Sequence, residues 1–76
     1  MPLFYFHLHN SDEVTLDKHG VDLPNVKAAL HEGERKAREM MARGTEQGES
    51  FENQHIEVVD DLGSFLFRLP LKYDFL

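Results

Sequence analysis

The chain contains no cysteine. Neither a disulfide nor a thiolate zinc site can therefore lend stability to so short a domain, and the composition fits a reducing compartment. No apolar run approaches the length of a membrane span, and the N-terminus shows no basic region leading into an apolar stretch. A cytoplasmic protein with no membrane partner is expected. Also missing are a glycine-rich phosphate loop, a dinucleotide fingerprint and a Gly-x-Ser-x-Gly setting; Ser11, Ser50 and Ser64 all fall in turns or loops. The acid pair Asp60-Asp61 belongs to a turn whose geometry explains it. A single small layer offers little concave pocket. No enzyme activity and no cofactor are expected.

Runs of one charge sign are absent as well. Fourteen acids against eight bases give a formal net charge of −6, spread along all 76 residues. A dispersed negative field repels phosphate backbones and anionic lipid, which argues against nucleic acid as a partner. A chain of this length forms one domain, residues 1–76, near the lower limit for a self-sufficient core. It buries only ~60% of its unfolded surface. Six Phe and two Tyr, with Leu and Val, must make that core. A second subunit would relieve the shortage.

What is present most clearly is a helix within Leu23–Gly44. Val26, Leu30, Gly33, Ala37 and Met40 recur at intervals of four and three, with Ala29 and Met41 widening the stripe. The opposite face carries Lys27, Glu32, Glu34, Arg35, Lys36, Arg38 and Glu39. Glu32→Lys36 and Glu34→Arg38 are acid-to-base pairs in the favourable order. Asn25 can cap the first turn after Pro24, and Gly44 supplies a left-handed closing residue. Gly33 on the buried stripe makes room for a bulky partner, such as a Phe ring.

Strand periodicity flanks the helix. Leu3–His9 alternates Phe4, Phe6 and Leu8 with Leu3, Tyr5, His7 and His9, and aromatic residues on both faces predict an inner strand. Asn10-Ser11-Asp12 is a turn cluster. Glu13–Asp17 is the returning strand of a hairpin, ended by Lys18-His19-Gly20 with Gly20 at positive φ. Thr45–Asn53 is a polar loop pinned to the core by Phe51. His55–Asp60 is the third strand and Asp60–Gly63 a turn. Ser64–Leu69 is the fourth strand, with Phe65, Phe67 and Leu69 on one side, Leu66 and Arg68 on the other, and Pro70 ending the ladder. The fold class is α+β: strand-strand-helix-strand-strand, one long helix on one face of a small, mainly antiparallel four-stranded sheet.

Such a helix covers one sheet face only. The other holds Tyr5, His7 and His9, with Glu57 and Arg68, and must be solvated or covered by a partner. His7 and His9 are two apart on one strand, so both rings point the same way. With Glu57, or with Asp12 near the turn, they could ligate a metal. Stacking of His7 on Tyr5, or pairing with Glu57, would make this face sensitive to pH. Phe4, Phe6, Phe65 and Phe67 mimic base-stacking platforms, but their alternation matches the helix stripe and assigns them to the core. The basic band Lys27, Arg35, Lys36, Arg38 and Arg43 is interrupted by Glu32, Glu34 and Glu39, which weakens a nucleic-acid reading.

Three stretches together resemble a known family. The opening Pro2-Leu3-Phe4-Tyr5-Phe6-His7 resembles an aromatic first strand with its histidine. Asp17-Lys18-His19-Gly20-Val21-Asp22-Leu23-Pro24 resembles a D-x-x-G-x-x-L run into the helix. Ile56-Glu57-Val58 with Asp60-Asp61-Leu62-Gly63 resembles a closing hairpin. The family is a small bacterial domain of unknown function seen in rhizobia and related proteobacteria. The resemblance spans essentially the whole chain and implies a compact strand-strand-helix-strand-strand domain. It brings no activity and no catalytic residues.

The expectation is a non-enzymatic interaction module that binds another protein or a second copy of itself through the uncovered sheet face. The candidate contacts are Tyr5, His7, His9, Arg68, Tyr73 and Phe75. The alternative is a metal- or small-ligand-binding protein using His7, His9 and Glu57.

Overall fold

The computed structural model describes residues 2–47, 51 and 53–72. Among them are five strands and one helix: β1 (Leu3–His9), β2 (Val14–Thr15), β3 (Val21–Asp22), α1 (Val26–Gln47), β4 (His55–Val59) and β5 (Phe65–Pro70). The sheet is antiparallel in the order β2-β1-β4-β5, with β3 also on β1. The aromatic strand β1 is an inner strand, as its two-faced pattern predicts.

The expected second strand is split. Thr15 pairs with Leu8 and Val21 with Phe4. Five residues, 16–20, thus lie opposite three, Tyr5 to His7. The two extra residues bow out of the edge and interrupt the ladder. The Asp17 side chain repairs the interruption. Its Oδ2 accepts the Phe6 amide at 3.2 Å, and its Oδ1 accepts the amides of His19 (3.1 Å) and Gly20 (3.0 Å). A β-branched or apolar residue at position 17 would leave these donors without that acceptor. Gly20 closes the excursion at φ +75°, beneath the Tyr5 ring.

The helix is capped as the sequence indicates, with Asn25 Oδ1 accepting the Ala28 amide at 2.8 Å. Its buried line is Ala29, Gly33, Ala37, Met41 and Gly44, so the small residues stand at the centre of the stripe. Val26, the first helical residue, is about half exposed (49%). Small residues let the helix settle close to β4 and β5, its main neighbours in the sheet. A Cβ on Gly33 would lie 2.5 Å from Leu69 Cδ1 and 3.5 Å from the Phe6 ring. The bulky partner is therefore chiefly an aliphatic side chain.

Gly44 does not end the helix, which continues to Gln47. It is an interior glycine on which the Phe51 ring rests end-on: a Cβ there would meet Cζ at 2.0 Å. Phe51 pins the post-helix chain to the core through this contact. The core joins the helix line to Phe4, Phe6, Ile56, Val58, Leu69 and Leu71.

The β4–β5 turn is organised by Asp60, whose Oδ1 accepts the amides of Leu62 (2.9 Å) and Ser64 (2.8 Å), with Gly63 at φ +81°. A register shift at Val58/Val59 then places Phe67 opposite Val58 and Phe65 opposite Val59. Leu66 is the extra residue. Phe65 consequently leaves the face of Phe67 and Leu69 and is 59% exposed. The strict alternation expected for this strand fails at that bulge.

Candidate functional site

Register determines what the sheet face away from the helix presents. Tyr5 lies opposite Val59, His7 opposite Glu57, and His9 opposite His55; across β4, Glu57 lies opposite Arg68. Residues paired directly across an antiparallel sheet share a face. Four of the expected contacts, Tyr5, His7, His9 and Arg68, therefore share one surface. Tyr73 and Phe75 lie outside the described residues.

The side chains divide into two groups. Tyr5 and His7 lean toward the edge excursion. Their rings stack with centroids 6.4 Å apart, and Nδ1 of His7 accepts the Asp17 amide at 3.0 Å. His9 turns to β4. Its ring stacks on that of His55 at 4.7 Å with 10° between planes, and its Nε2 lies 3.3 Å from Glu57 Oε1. Glu57 thus reaches its diagonal neighbour His9, not the directly opposed His7.

His55 is the member that sequence reasoning left out. The signal existed, because β1 and β4 each begin or end on a histidine at the same level of the sheet. Using it required knowing that these two strands pair. Burial holds the His55 pKa below its usual value, aided by the positive charges of His9 and Arg68 and opposed by Glu57. The site therefore favours the neutral form of the His55 ring.

The hydrogen bond from the Asp17 amide fixes the His7 tautomer. With Nδ1 accepting, the ring proton sits on Nε2. A metal-ligating histidine has the opposite polarity, donating from one nitrogen while the other binds the ion. Among the described residues, no group of three His, Cys, Asp or Glu is arranged to hold a metal. None of the described helices is long and apolar enough to cross a membrane.

On the helix, the basic band is laced with acid. Arg35 makes a two-toothed pair with Glu32 (2.9 and 3.1 Å) and a further bond to Glu39 at 2.7 Å. Glu39 also holds Arg43, and Lys36 lies 3.8 Å from Glu32. The hydrogen bond from Arg35 is the main reason that the carboxyls of Glu32 and Glu39 both sit below their usual pKa.

The class these features define is a small α+β domain with one helix over a single sheet and a polar-aromatic open face. A family model, the domain of unknown function DUF6894, matches residues 3–72, and the chain belongs to that family. Comparison with curated proteins and with solved structures gave no match.

Proposed function

We propose that the domain is a non-enzymatic interaction module that self-associates through the sheet face opposite the helix. One observation carries this reading. The bulge at Val58/Val59 places Phe65 across from Val59, on the same side as Tyr5, and leaves it 59% exposed. An aromatic ring held in water on a sheet face favours burial against a partner. Charge supports a second copy as that partner. Glu57 and Arg68 are cross-strand neighbours of opposite sign, so a two-fold axis near them lets each acid meet the other copy's base. The setting belongs to the same proposal. A cysteine-free chain that resembles a bacterial family fits a bacterial cytoplasm.

The experiment is solution mass by light scattering after size exclusion, over a range of concentrations. A concentration-dependent dimer that dissociates in Phe65→Ser and in Arg68→Glu is the expected result. Both side chains are exposed, so neither change should disturb the core. A clean monomer at high concentration overturns self-association.

A further inference from the structure

On the opposite side of the sheet, a groove of about 260 Å³ opens between the helix and β1. It exists because the helix lies over β4 and β5, leaving the β1 side of the helix face covered only by long side chains reaching across. The floor is apolar: Phe6, Leu8, Met40 and Ile56. Among the described residues, the rim is charged and comes from the helix.

The rim is unusual for this molecule. The helix carries five Lys and Arg against four Glu, whereas the remainder carries three bases against ten acids, accounting for the totals of eight and fourteen. Arg35, Lys36 and Arg43 border the groove. These three cations meet the carboxylates of Glu32 and Glu39, and Lys36 also lies in the field of Asp17. Lys36 is the least tightly engaged, at 3.8 Å from Glu32, and its Nζ stands over the Phe6 ring at 5.6 Å from the centroid. This ammonium group is thus held directly above the apolar floor.

We propose that this groove binds a small monovalent organic anion: a carboxylate with a short apolar body. The body would lie on Phe6, Leu8 and Ile56, and the carboxylate would be met by Lys36 and Arg43. The volume falls just under the ~300–1,000 Å³ of sites for drug-sized ligands, which keeps the occupant small. A single carboxylate suits a rim whose cations are already partly engaged by Glu32 and Glu39; a phosphate dianion would meet stronger repulsion from the same two carboxylates. This inference does not rest on self-association and uses none of the same residues.

The test is a titration followed by amide NMR, with octanoate as probe and octan-1-ol as its neutral counterpart. Saturable shifts at Phe6, Leu8, Met40 and Ile56 are expected, with a dissociation constant on the order of 1 mM. Octan-1-ol should bind at least roughly tenfold more weakly, and the Lys36→Gln/Arg43→Gln variant should lose about the same factor for octanoate only. Both replaced side chains reach solvent, and unchanged spectra elsewhere will establish that the variant folds. Absence of saturable shifts, equal binding of acid and alcohol, or indifference to the double substitution overturns the proposal. Shifts confined to Tyr5, His9 and His55 overturn it too, by moving the ligand to the other face.

Discussion

The backbone amide of Asp17 donates to Nδ1 of His7, 3.0 Å away and ten residues earlier in the chain. In the same place the Asp17 carboxylate accepts the amide of Phe6. Where the edge of the sheet loses its ladder, one side chain from each strand substitutes for the missing backbone partners. Asp17 therefore serves stability first, and the open face inherits its geometry from it.

Asp17→Ala should cost about 2–3 kcal/mol, since three amides lose a charged acceptor, and Asp17→Asn should cost less because one oxygen remains. The loss should depend on pH in a defined direction. Burial alone would raise the Asp17 pKa, but the amides of Gly20, Phe6 and His19, with the charge of Lys36, together bring it below its usual value. A depressed carboxylate contributes stability that is complete above the unfolded pKa of about 3.9 and fades as pH falls through the folded one. Urea unfolding of wild type and Asp17→Ala should differ clearly at neutral pH and converge in acid.

Gly44→Ala tests the glycine–ring contact. In an open helix this change gains about 1 kcal/mol. Here the new methyl occupies the Phe51 ring position, and a net loss of about 1–2 kcal/mol is expected. In a Phe51→Ala background the same substitution should turn stabilising. A double-mutant cycle by denaturant unfolding reads the change of sign.

The His9–His55 stack should weaken the protein on mild acidification. A histidine whose folded pKa is depressed takes up its proton more readily when unfolded, so stability falls as pH drops through the unfolded value of about 6.5 and levels off below the folded one. His55→Asn should flatten that part of the pH–stability curve. NMR titration of the His55 ring should show a midpoint lower than that of a free histidine.

Asn25→Ala removes the oxygen that receives the Ala28 amide and should cost about 1 kcal/mol, with Asn25→Asp or Asn25→Ser close to wild type. Thermal unfolding would read this directly.

Local chemistry made much of this fold legible. The presence of the helix, the Asn25 cap, the inner position of β1 and the positive φ of Gly20 all follow from short-range pattern. What escaped depends on partners distant in sequence. Gly44 has the look of a helix terminator until Phe51 is seen against it. Phe65 keeps perfect alternation with Phe67 and Leu69, and nothing local announces the bulge that turns it outward. The second strand seemed continuous because Asp17 resembles a strand-ending polar residue, and its reach to the Phe6 amide is visible only across the hairpin. The open face was placed correctly in outline by strand parity. Its internal pairing was not, because whether Glu57 serves His7 or His9 is decided by side-chain reach along the diagonal.

The strand that lies inside the sheet is also made before the other described elements of the domain. β1 can fold back with β2 and β3 at once, but its other edge stays open until β4 arrives, about forty-five residues later by the pairing of His9 with His55. During that interval Phe4, Phe6 and Leu8 have no sheet neighbour on that side and no completed core to enter. The interrupted hairpin and its Asp17 clasp already hold one edge of the nascent strand, which protects that edge against pairing with another chain before the sheet is finished.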